Sequence, residues 1–313
     1  MKAGTGDDVM ADTMTGGLQA GSPAIPGSIW PLVRDYVSLL KLRIVGLLLF
    51  IAIMAALTAG GGLPPISSLL LLAAGGGLAS AGASALNHYI DRDMDGLMPR
   101  TQARPLASGR LPHPRVAAAL GVGLLLLSVP FSLRLGVPVA VYTIMGAFVY
   151  VVIYTLWLKR RSPLNIIIGG LSGSFAALAG WSAVSTGNSP FPLLIGALVF
   201  LWTPLHFWNF ALVHLEQYRL AAVPMMPVIL GRAMAGRHIC LTAASLFLLS
   251  LVPFFMGYMG PLYLVAALGL GVLLRGNLRL LRQPTAQIAW TNYKLSGLYL
   301  AGLFIAMAAD SIL

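Results

Sequence analysis

Three of the nine acidic residues of this 313-residue chain stand within five positions, Asp91, Asp93 and Asp95, where a long apolar run ends. Acids so scarce and so clustered point to chemistry. With Asn87 they spell Asn-x-x-x-Asp-x-x-x-Asp, and at about 100° per residue positions 87, 91 and 95 of a helix fan over only about 80° of one face. Asp93 points the other way and is left to pair with Arg92 or Arg100. Two carboxylates and a carboxamide at the edge of a membrane interior make an oxygen-rich site for a hard divalent cation. Mg²⁺ held by one or two carboxylates commonly completes its shell with substrate phosphates, so the pattern predicts a metal-bridged diphosphate, with Asn87, Asp91 and Asp95 as its catalytic and metal-binding residues.

The loop that follows carries Arg100, Arg104 and Arg110. Arginine favours bidentate phosphate contacts, so these residues either clamp the diphosphate or simply fix membrane topology. A second long loop, roughly 214–237, opens with His214, Glu216, Gln217 and Tyr218, and Glu216 is the chain's only glutamate. It is either a further metal ligand or a solvated acid. His206 and Asn209 lie one turn apart within an apolar run, where buried polar groups need partners for packing or for function.

The elements that must position these residues are membrane helices. The chain is 58% hydrophobic and 9% charged, which predicts an all-α polytopic membrane protein. Apolar stretches at 44–60, 66–88, 115–134, 137–158, 164–186, 190–213, 238–258, 261–275 and 295–312 predict about nine transmembrane helices around a central cavity. Lys and Arg collect in alternate connections, Arg134 being the only basic residue in the opposite set. That asymmetry predicts a cytoplasmic N-terminus, an outside C-terminus and functional loops on the cytoplasmic face. Orientation and anionic lipid account for the net charge of +11 without a nucleic-acid partner. Residues 1–29, rich in Gly, Ala, Ser and Pro, read as a disordered cytoplasmic tail ahead of a single domain over 30–313. Cys240 stands alone, which excludes an intramolecular disulfide and a cysteine-rich metal site. Ion-coupled transport is disfavoured, because the acids sit at the membrane edge and not within it.

The stretch Asn87-His88-Tyr89-Ile90-Asp91-Arg92-Asp93-Met94-Asp95, with Met98-Pro99-Arg100-Thr101 and Arg104 to Arg110, resembles the signature of the protohaem IX farnesyltransferases, or haem O synthases. These form a branch of the UbiA-type intramembrane prenyltransferases. The similarity continues through Lys41 to Ile44, Tyr154 to Arg160, Gly180-Trp181, Trp202 to Trp208 and Pro224 to Val228, and so spans nearly everything after about residue 34. It implies Mg²⁺ as cofactor, farnesyl diphosphate and haem B as substrates, and haem O as product. It further implies a bacterial inner membrane location, with haem A synthase or terminal oxidase assembly proteins as partners. Carried over by position, Arg100, Arg104, Arg110, Lys159 and Tyr218 would bind substrate, Glu216 would join the metal ligands, and His206 would contact the haem. Where the family carries an acidic pair before Tyr, this chain has Glu216-Gln217-Tyr218. The alternatives are another aromatic or lipid prenyltransferase of the same fold, or a weakened relative that binds haem or isoprenoid.

Overall fold

The computed structural model describes residues 29–313, so the tail expected over 1–29 lies, apart from Ile29, outside the described residues. The described chain is helical with no strand. Proline stands in the first turn of α1 (Trp30–Leu39), α4 (Pro114–Leu135), α5 (Val137–Phe148), α8 (Phe191–Val213), α10 (Met226–Phe255) and α11 (Pro261–Leu268). There its fixed φ suits the helix and its missing N–H costs nothing. Between these lie α2 (Leu42–Gly60), α3 (Ile66–Asp95), α6 (Asn165–Gly169), α7 (Leu171–Ser182), α9 (Leu215–Leu220), α12 (Leu270–Arg282) and α13 (Ala286–Asp310).

Among the described residues seven helical segments are long and apolar enough to cross a membrane, against nine expected. The shortfall has two causes. The expected span 164–186 comprises α6 and α7, which meet at Gly170, where φ of −60° and ψ of −25° keep the helical path, and neither segment is long enough alone to cross a membrane. The expected span 295–312 is the apolar half of α13, whose first turns carry Gln287, Thr291, Asn292 and Lys294. The span expected at 238–258 begins earlier, in α10, and is kinked at Gly231, whose φ of 76° suits glycine.

Helix α8 runs through the centre, where Ile195, Leu198, Leu205 and Leu212 are fully buried with Ile239 and Leu246 of α10 and Phe304 and Met307 of α13. Helices α2 and α7 touch backbone to backbone: a Cβ on Gly180 would lie 1.9 Å from the Ala52 carbonyl oxygen. Helix α3 meets α4 in the same way, a Cβ on Gly82 falling 2.6 Å from the Gly121 carbonyl. Small residues of this kind let membrane helices close to van der Waals contact, where lipid gives no hydrophobic drive. Gly180 and Gly82 thus fix two of the walls from which the site projects. Beyond α5 the chain continues as a π-helical stretch, Val149–Trp157, and one 3₁₀ turn, Leu158–Arg160. The wider coil changes which side chains face α3, and π-helical insertions often accompany functional sites.

Candidate active site

Helix α3 presents Asn87, Asp91 and Asp95 on one buried face, exposed by 3%, 0% and 1%. Asn87 donates from Nδ2 to Asp91 Oδ2 at 2.7 Å and to Thr155 Oγ1 at 3.1 Å. The π-helical stretch aims Thr155, whose hydroxyl donates to the Tyr150 carbonyl at 2.7 Å. Asp93 lies on the opposite face, 65% exposed, and takes both its oxygens to Arg160 at 2.6 and 2.8 Å. Its partner is therefore neither Arg92, which turns back to the Tyr89 carbonyl, nor Arg100, which lies over the Phe210 ring.

Three basic side chains close on this face of α3, two on its carboxylates and one on its amide. Lys159 pairs with Asp91, and Arg104 pairs with Asp95 at 2.7 Å. Lys41 donates to Asn87 Oδ1 at 2.5 Å and approaches the Tyr150 hydroxyl at 3.5 Å. Lys41 holds a left-handed backbone, φ 49° and ψ 51°, at the start of α2. Non-glycine residues pay for that conformation, and it is commonest where a site requires it. Burial pushes the Lys41 ammonium down to about 7, the charges of Arg104 and Lys159 adding to the shift and those of Asp91 and Asp95 opposing it.

One oxygen on each aspartate stays unengaged. Asp91 Oδ1 and Asp95 Oδ1 are buried with no hydrogen-bond partner, an arrangement that costs free energy unless a cation or donor takes them up. Among the described residues no three His, Cys, Asp or Glu side chains converge. The donor set is two carboxylate oxygens, with the Thr155 hydroxyl and the Asn87 amide alongside, and it suits a hard ion that completes its shell with phosphate oxygens.

Of the other expected residues, the structure brings some here and holds some elsewhere. Arg100 lies 5.1 Å over the Phe210 ring, close to the buried Tyr218; burial pushes that phenol up, and Arg100 and Arg104 oppose the shift. Arg110 does not reach the cluster. It makes a two-pronged pair with Asp35 of α1, at 2.9 and 3.2 Å, and donates to the Ala103 carbonyl and the Ser108 hydroxyl. Glu216 does not reach it either: its side chain is 64% exposed and pairs with Arg219 at 2.6 Å. The neighbouring Gln217 instead buries an unpartnered Oε1. The cause is the rotation of α9, which buries Leu215 and Tyr218 and so turns Glu216 outward.

His206 sits between α8 and α13. Its Nδ1 is 2.8 Å from Ser296 Oγ, and its ring lies against Trp202 and Tyr293, at centroid distances of 4.4 and 4.2 Å. Tyr293 touches Phe210 at 5.1 Å, so an aromatic wall links His206 to Arg100. Sequence reading passed over Lys41 as a site residue, as well as Thr155, Tyr150 and Asp35. Lys41 does lie within a stretch of family resemblance, which was a usable signal.

Residues 48–305 match the family model for the UbiA prenyltransferase family. The chain belongs to that family. Within it, proteins named protoheme IX farnesyltransferase are similar over most of this chain. One from Roseiflexus sp. (strain RS-1) is 40% identical over 90% of this chain and 53% of its own length. One from Cenarchaeum symbiosum (strain A), named protoheme IX farnesyltransferase 1, is 41% identical over 89% and 96%. The chain thus spans about half the length of the Roseiflexus relative and nearly all of the other. A UbiA homologue from Archaeoglobus fulgidus, solved with GPP and Mg²⁺, superposes with a TM-score of 0.63 at 19% identity over 89% of this chain and 99% of that one. The UbiA fold and its apolar helices make this an integral membrane protein.

Proposed function

We propose that this UbiA-family chain transfers a farnesyl group from farnesyl diphosphate to a vinyl group of haem B, giving haem O for a terminal oxidase. The observation that carries the reading is the pair of unengaged, fully buried carboxylate oxygens on Asp91 and Asp95, ringed by Lys41, Arg104 and Lys159. The haem acceptor comes from the names of relatives about 40% identical.

Asp91 and Asp95 would hold Mg²⁺, with Asn87 and Thr155 beside them. When Mg²⁺ is bound, its charge stabilises the departing diphosphate. Arg104 and Lys159 already lie against the carboxylates and Lys41 against the Asn87 amide, and each can turn to a diphosphate oxygen as negative charge arrives, with Arg100 behind them. Departure of diphosphate leaves an allylic cation, whose C1 bonds to the terminal carbon of the haem vinyl group. The cation so formed next to the macrocycle takes up water and loses a proton, giving the hydroxyethylfarnesyl group. Buried apolar side chains such as Met94, Met98, Leu205 and Trp208 keep water from the first cation. With Nδ1 of His206 taken up by Ser296, its other nitrogen would be the one to meet the haem iron or a propionate.

The distribution of Lys and Arg supports placing these loops on the cytoplasmic side of the membrane, a bacterial inner membrane by the family resemblance. Pigments extracted from membranes with and without the chain, resolved by mass spectrometry, test the reading. Haem O should appear only with the intact chain and vanish with Asp95→Asn. Haem B left unconverted in the presence of farnesyl diphosphate and Mg²⁺ would refute it.

A further inference from the structure

Away from the carboxylate cluster, a groove of about 450 Å³ runs between α12 and α13. Its lining changes character with distance from the turn that joins the two helices. Arg279 and Gln287 stand next to that turn, Arg275 and Thr291 one helical turn further in, and Val272 and Leu295 beyond them. Its floor is fixed by Gly276, where a Cβ would fall 2.4 Å from the Asn292 side-chain oxygen.

The two guanidiniums have no counter-charge among the described residues. Neither forms an ion pair or hydrogen bond among the described residues, and the described acids are committed elsewhere. Asp35, Asp91, Asp93, Asp95 and Glu216 pair with other basic side chains. Asp310 accepts from the backbone amides of Gly260 and Leu262. Like charges four residues apart on a helix repel, and Arg275 and Arg279 are so spaced. An anion between them reverses the sign. Arginine forks suit a phosphate, while Val272 and Leu295 deeper in the groove suit a hydrocarbon chain and would repel a bare ion.

We propose that this groove is a binding site for an anionic phospholipid, whose phosphate is held by Arg275 and Arg279 and whose acyl chain runs along Val272 and Leu295. The occupant would splint α12 to α13. Asn292 of α13 donates to Asn277 of α12 at 3.1 Å, and Asn209 of α8 donates to the same oxygen at 3.3 Å. The splinted pair therefore backs the helix that carries His206.

Native mass spectrometry of the full chain released from detergent tests this, with phosphatidylglycerol and phosphatidylcholine titrated separately. Phosphatidylglycerol should bind more tightly, and Arg275→Gln with Arg279→Gln should weaken it about twenty-five-fold, from about fivefold for each arginine near an anionic lipid. Arg275→Lys with Arg279→Lys should keep most of the preference for the anionic lipid. Arg134→Gln, remote from the groove, should change nothing. Both arginines are exposed, so circular dichroism should report an unaltered fold in every variant. Inorganic phosphate should not displace the lipid. Equal retention of phosphatidylglycerol by wild type and the double Gln variant would overturn the site. Displacement by inorganic phosphate at concentrations comparable to the lipid would overturn the amphiphile.

Discussion

Asp91→Asn separates the catalytic role of the carboxylate from its structural one. Asp91 is fully buried and paired with Lys159, whose side chain is only 10% exposed. Removing the acid strands a buried ammonium, and breaking a buried pair from one side costs about 3–5 kcal/mol. At about 2–4 °C per kcal/mol, the melting point of the detergent-solubilised protein should fall by about 6–20 °C. Asp91→Asn with Lys159→Met removes the stranded charge as well, and most of the loss should return, a coupling of about 2–3 kcal/mol in the cycle. Turnover should not return, because neither variant has the charged carboxylate of Asp91 to offer a metal. Thermal unfolding and haem O formation, measured on all four members of the cycle, read the two roles apart. A single variant that melts with wild type would refute the buried pair, and a double variant that turns over would refute the metal ligand.

Asp93→Asn should leave turnover intact and cost at most about 1 kcal/mol of stability, since its pair with Arg160 is exposed; loss of turnover equal to that of Asp95→Asn would show that the α3 face does not select the ligands. Glu216→Gln should leave the magnesium dependence unchanged, because Glu216 faces outward to Arg219. Gln217→Asp, where Oε1 is buried without a partner, should shift that dependence to lower concentration; the opposite pattern would return Glu216 to the site. Asp35→Asn frees Arg110 and loosens the turn that carries Arg104, so KM for farnesyl diphosphate should rise about fivefold at constant kcat, with Asp35→Glu close to wild type; a fall in kcat alone would detach α1 from diphosphate binding. His206→Ala should shift the bound-haem absorption spectrum without altering farnesyl diphosphate affinity, and an unchanged spectrum would place the haem elsewhere.

What the sequence made legible was periodic. Asn87, Asp91 and Asp95 recur every four residues in a long helix, so their common face follows from helix geometry before any tertiary contact is known. The same holds for Asp93, whose exclusion from that face was readable although its partner Arg160, 67 positions away, was not. Apolar run length located the helices, and it set the bounds least well where polarity rises within a helix, as in the first turns of α13.

The cations were harder to place because their positions depend on contacts distant in sequence. Lys41 meets Asn87 across 46 positions, and Arg110 turns to Asp35 across 75. No local pattern distinguishes the arginine that reaches a carboxylate in the site from one that braces a loop. Glu216 was a different kind of miss. Leu215 and Tyr218 are three residues apart and both apolar enough to seek the core, which already sets the rotation of α9 and turns the residue between them outward. The acid drew notice as the only glutamate, while the side chain that points inward is the neutral Gln217. The second loop therefore brings the Tyr218 phenol toward Arg100 and Arg104 and no acid, which leaves the two aspartates of α3 as the anionic side of the proposed diphosphate site.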